Sequence, residues 1–283
     1  MKNILIASDL SVESVTSFNY AIYMAHLANA KLIVLHAYHL PTLNEADKLD
    51  NKATTLLDCI EANYPNFAQI IKKNHSKEVL QNIQFEYLHA HKLQVDKVAD
   101  IIKKSQIDLM VIDARPKRGI QEIVFGNYLE EVMDKIKSCP VIAVPQNAVF
   151  KPLKNIWYAT VMLTPVETLV QLRDFTAIFS QKLHLVHVIV EPTRSYAEKV
   201  KHFKERVETA FNKQMDYSFK EIEDADVEAA LLQNLEQENA DMMIMVERPK
   251  SAFDRLFMNS MTELMALNAT TPIAIFHEKE THH

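Results

Sequence analysis

Apolar residues in the first half of the chain gather into short runs at 3–7, 32–37, 83–88, 107–112 and 141–144. Between them lie longer stretches, at about 12–28, 45–80, 94–105 and 126–137, in which apolar positions recur at helical spacing. Strands alternating with helices predict parallel β-α-β units. Segments such as Leu-Met-Val-Ile at 109–112 are apolar on every residue, which suits a sheet covered by helices on both faces. The second half repeats the plan, with strands expected near 155–160, 182–189, 217–223, 242–246 and 272–276. The fold class expected is therefore α/β, two tandem doubly wound parallel five-stranded sheets in a Rossmann-like three-layer arrangement. In such a sheet a ligand sits beyond the carboxyl ends of the strands.

The two halves also match residue by residue. Lys-Leu-Ile-Val-Leu-His at 31–36 recurs as Lys-Leu-His-Leu-Val-His at 182–187. Residues 107–117 and 240–250 share an Asp, a Met and an Arg-Pro-Lys block at one register, and Cys-Pro-Val-Ile-Ala-Val at 139–144 matches Thr-Pro-Ile-Ala-Ile-Phe at 271–276. A period this long means duplicated domains, since solenoid and propeller repeats are far shorter. The expected domains are 1–147 and 153–279, with a boundary near 146–154.

Composition narrows the function classes. The 283 residues carry a net charge of −6, which argues against a nucleic-acid surface. No stretch approaches the roughly 20 apolar residues that span a bilayer. The opening Met-Lys-Asn leads directly into a strand rather than a signal-peptide core, so cytoplasmic residence is the expectation. Two cysteines, Cys59 and Cys139, lack metal-ligand spacing and read as buried thiols. Glycine occurs only at Gly119 and Gly126, where average usage would place about twenty.

Strand ends carry the candidate chemistry. Asp9 follows the first strand, where its carboxylate could accept a hydrogen bond from a ligand amine or hydroxyl; equally, Asp9 or Ser11 could cap the helix starting near Val12. Ala37 ends the second strand. The stretch from Asp113 to Asn127 holds Arg115, Lys117 and Arg118 together with both glycines, and then opens a helix. Glycine lets backbone N–H groups approach a phosphate, and a helix N-terminus adds partial positive charge. The simpler reading makes Asn127 an N-cap and Gly126 the turn before it.

These features, over nearly the full length, resemble UspA-type universal stress proteins in tandem form. ATP-binding members use Gly, two residues, Gly, nine residues, then Gly-Ser/Thr. On the first copy those positions are Asp113, Pro116, Gly126 and Asn127, so one glycine survives; Pro116 has no N–H and Asp113 places a carboxylate where phosphates would lie. On the second copy they are Val246, Pro249, Asn259 and Ser260, and the counterpart of Asp9 is Val161. The resemblance implies a stress-response role, the missing glycines imply ligand-independent or altered-ligand regulation, and a non-enzymatic regulator is the expectation. No cofactor is expected. The alternative is an ATP-binding switch or weak ATPase in the first domain, with a nucleotide or small anion contacting Asp9, Ala37, Asp113, Arg115, Lys117, Gly126 and Asn127; a binder of a small acidic or lipid-like ligand in the crevice is the third reading. The two domains are expected to pair as the subunits of a family dimer do, through the edges of the final strands, and a homodimer of whole chains is the further expectation.

Other clusters have simpler readings. His89 and His91 share a strand face, yet no carboxylate partner accompanies them. His36 and His187 occupy equivalent strand positions, as packing residues would. Met242, Met243, Met245, Met258, Met261 and Met265 read as core. No Gly-x-Ser-x-Gly or Walker motif occurs. His282 and His283 read as a tag remnant or an ordinary tail.

Overall fold

The structure is a computed structural model; it describes residues 1–37, 55–90, 94–114, 123–191, 194–248, 265 and 268–278. Two compact units divide it, Met1–Phe150 and Lys151–His283.

The first unit contains β1 (Asn3–Ser8), α1 (Val15–Ala28), β2 (Lys31–Ala37), α2 (Leu56–Asn63), α3 (Pro65–Asn74), α4 (Lys77–Asn82), β3 (Phe85–Ala90), α5 (Val95–Lys104), β4 (Leu109–Ala114), α6 (Ile123–Lys135) and β5 (Val141–Pro145). A 3-10 turn, Val12–Ser14, leads into α1. The strands lie in the order β3-β2-β1-β4-β5, every pair parallel. The second unit contains β6 (Ile156–Ala159), α7 (Val166–Thr176), β7 (Lys182–Ile189), α8 (Tyr196–Phe211), β8 (Asp216–Glu223), α9 (Val227–Gln237), β9 (Met242–Glu247) and β10 (Ile273–His277). Its order is β8-β7-β6-β9-β10, again all parallel.

Central strands are buried on both faces. Ile4, Leu5 and Ile6 are all fully enclosed although successive side chains point to opposite sides, which requires helices on each. In the first unit α1 and α2 pack with α3, and α5 packs with α6. Phe18 of α1 meets Phe67 of α3 edge to face at 5.2 Å.

The stretch expected as one helix over 45–80 is three helices where it is described. Pro65 disfavours helical backbone at Tyr64, which adopts φ −136° and ψ 64° and separates α2 from α3. Ser76 is extended and its side chain accepts the Val79 N–H, so α4 starts as a newly capped helix. Residues 45–54 lie outside the described residues. The third and fourth strands run two residues further on than expected, because Ile83 closes α4 and Asp108 is taken up by the contact below.

One tie appears in both units. The Asp108 carboxylate, at the entrance of β4, accepts the backbone N–H groups of Lys2 and Asn3 at 2.5 and 3.0 Å. Asp241, at the entrance of β9, accepts those of Lys154 and Asn155 at 2.9 and 2.8 Å. Asn3 and Asn155 then reach back, each donating its side-chain amide to a carbonyl at the end of α5 or α9, Ser105 at 2.9 Å and Glu238 at 2.7 Å. Asp108 is exposed, whereas Asp241 is 8% exposed and is paired with Lys151 at 2.8 Å. Removing a buried acceptor leaves its donors unsatisfied, which costs more than losing one that water replaces. Asp241→Ala is therefore expected to lower stability by about 2–3 kcal/mol and Asp108→Ala by about 1 kcal/mol, read from urea melts of the full chain.

Candidate functional site

The strand-end crevice of the first unit is built around the exit from β1. Leu10 adopts φ 53°, the left-handed region that a residue with a Cβ enters only when surroundings hold it there. What holds it is Ser8, whose Oγ accepts the Leu10 N–H at 3.0 Å while its own hydroxyl donates to Ser14 Oγ at 2.9 Å. Ser14 in turn donates to the Ser11 carbonyl at 2.9 Å. Glycine would relax the backbone at position 10, but the Leu10 side chain is buried. The Asp9 carboxylate accepts the Ser11 N–H at 3.0 Å, forming an Asx turn, and Ser11 makes no side-chain cap to the 3-10 turn. Of the two residues considered as caps from sequence, Asp9 bonds this turn through its side chain and Ser11 makes no side-chain cap.

The other expected residues divide. Ala37 is the last residue of β2, opposite Ala90 of β3. Asp113 belongs to β4, opposite Val144, rather than to the loop after it. Asp9 and Asp113 thus stand at the carboxyl ends of adjacent strands, two acidic positions at one crevice. Arg115 and Lys117 lie outside the described residues, as does Gly119. Gly126 and Asn127 are inside α6, which begins at Ile123, so neither the turn expected at Gly126 nor the cap expected at Asn127 is what the backbone forms. α6 buries Tyr128, Leu129 and Val132, and a glycine within the helix costs only about 1 kcal/mol against that.

His36 is buried at the end of β2, with its ring edge-to-face against Tyr64 and Tyr87 at 5.5 and 6.0 Å. His89 lies opposite His36 in the strand register, and His91 is outside the described residues. Among the described residues no group of three His, Cys, Asp or Glu side chains could hold a metal ion. Both cysteines are buried thiols, and burial pushes Cys139 up to about 12 and also raises Cys59.

The second unit reproduces the same turn with different chemistry. Met162 has φ 60°, and its N–H donates to Thr160 Oγ1 at 3.0 Å. Thr160, Val161 and Met162 therefore correspond to Ser8, Asp9 and Leu10, and the residue in the place of the carboxylate is Val161. The registers Ile4↔Leu109 and Ile156↔Met242 likewise set Val246 against Asp113. A cavity of about 340 Å³ opens here, between the ends of β6, β7 and β9 and the start of α9. Sequence reasoning did not anticipate it. The available signal was a valine in place of Asp9 followed by further apolar residues at Leu163, Val188 and Val190. The loop carrying Pro249, Asn259 and Ser260 lies outside the described residues.

A family model described as the universal stress protein family matches residues 1–145. Among solved structures, a universal stress protein from Archaeoglobus fulgidus is 17% identical, with 98% of each chain covered and a TM-score of 0.62. A functionally unknown protein from Pseudomonas aeruginosa is 12% identical, covering 98% of this chain and 92% of its own, with a TM-score of 0.60. At such identities the likeness is one of fold. No curated protein matches the chain.

Because Met162 holds its left-handed turn without a neighbouring carboxylate, Asp9 is not required for the turn in the first unit. Asp9→Val is expected to fold normally and to lose no more than about 1 kcal/mol in urea unfolding, the order of the part-buried hydrogen bond from Ser11. A loss above about 3 kcal/mol would make Asp9 a structural residue and remove it from the candidate site.

Proposed function

The chain belongs to the universal stress protein family, and on that premise we propose a non-enzymatic stress-response regulator in which both units have moved away from nucleotide binding, the second further than the first. The observation that carries this reading is the paired turn: one backbone geometry, closed in both units by a strand-terminal hydroxyl, presents Asp9 in the first and Val161 in the second. An acidic residue at that point can accept from an amine or hydroxyl; valine can accept nothing.

The phosphate side of the first crevice supports the same reading. Three positions that are glycine in the ATP-binding pattern of the family are Asp113, Pro116 and Gly126. With Asp9 and Asp113 ending adjacent strands, an incoming polyphosphate meets two acidic positions. Arg115 and Lys117, between β4 and α6 in the sequence, and the first two turns of α6 with Gly126 and Asn127 remain as attractive elements, and with Ala37 at the end of β2 they are the candidates for a weak site for a nucleotide or small anion. No helix among the described residues is long and apolar enough to cross a membrane, and cytoplasmic residence is part of the proposal.

An ATP-dependent switch is the second reading, favoured by the preformed Asp9 turn. Calorimetry of the full chain with ATP and magnesium separates the two. The proposal expects no binding tighter than about 0.1 mM and no ATP turnover. Micromolar binding that Asp9→Val abolishes would establish the switch instead.

A further inference from the structure

The cavity of the second unit points to a ligand of its own. We propose that it binds a neutral apolar molecule of about ten non-hydrogen atoms, in the class of an aliphatic alcohol or a phenol. At roughly 30 Å³ per water in the liquid, the 340 Å³ space holds about eleven waters, which sets this size. It falls at the lower end of small-molecule pockets.

Its walls are apolar: Val161, Val188, Val190, Val227, Leu231 and Met245. Val161 is 46% exposed and Val190 52%, two of the three exposed large apolar residues described in this unit; the third, Leu163 at 53%, adjoins Thr164 of the lining. Exposed apolar surface concentrated around one opening is what a ligand for that opening would cover.

The polar lining groups are engaged within the protein. Tyr158 bonds through its hydroxyl to Thr164, and Thr160 Oγ1 takes the Met162 N–H at 3.0 Å. Arg248, the only Asp, Glu, Lys or Arg among the described lining residues, donates through Nε to Glu278 at 3.2 Å. A carboxylate ligand would have to share that guanidinium with the Glu278 carboxylate and meet its charge in an apolar cavity, which is unfavourable, and a cation would find no acidic side chain among the described lining residues. His187 donates Nδ1–H to the Thr160 carbonyl at 2.7 Å, so its other ring nitrogen, Nε2, is an acceptor in the neutral form. One hydroxyl donor on an otherwise apolar ligand suits that nitrogen.

The test is a titration of the full chain, labelled at its valine and leucine methyl groups, followed by NMR with octanol and with octanoate at neutral pH. Octanol is expected to shift the methyls of Val161, Val188, Val190, Val227 and Leu231 saturably with Kd below about 1 mM, and octanoate to bind at least about tenfold more weakly. Val161→Asp, on the exposed rim, is expected to weaken octanol at least about tenfold, and Leu27→Gln, exposed on α1, to leave it unchanged. The proposal is overturned if these methyls show no saturable shift, if octanoate equals octanol, or if Val161→Asp has no effect.

Discussion

A parallel sheet enclosed by helices on both faces admits almost no polar side chain along its length, and this constraint shapes the rest of the molecule. Each central strand must be apolar through its middle, so polar and charged groups are pushed to the two strand ends. At the amino ends they tie the structure together, through Asp108 on the start of β1 and Asp241 on the start of β6. At the carboxyl ends the backbone must leave the sheet, and there the chain is free to carry chemistry. Ser8 and Thr160 stand at that exit and hold the next turn in a conformation that neither Leu10 nor Met162 would adopt alone.

The duplication keeps what the fold needs and varies what it does not. Carboxylate ties, left-handed turns and the strand-opening prolines recur; the Pro140 and Pro272 carbonyls even accept equivalent N–H groups, from Met110 and Met243, at 3.0 Å each. Asp9 and Val161 differ because the hydroxyl one residue earlier already closes the turn. Once a carboxylate is not needed for folding, its loss costs the protein only whatever function it served. In the second unit the valine at that position lines an apolar cavity, which makes the two strand ends different in kind.

Much of the fold was legible in the amino-acid sequence because periodicity reports burial directly. Strand registers align Leu32 with Leu183 and Ile4 with Ile156, the same correspondence that the runs at 31–36 and 182–187 suggest. Helix boundaries were less legible. Pro65 and Ser76 divide a stretch whose apolar spacing looks continuous, and α6 begins three residues before the glycine that would otherwise mark its start. The cavity was invisible for another reason: Val161, Val190 and Leu231 are far apart in sequence, and only the parallel topology brings them to one strand end.

The central claim is that two units with one backbone plan are unequal toward nucleotides. Native mass spectrometry of the chain with ATP and magnesium at millimolar concentration tests it through stoichiometry, independently of affinity. The account predicts at most one nucleotide per chain, absent from the Asp9→Val variant. Two nucleotides per chain, or one that survives that substitution, would contradict it.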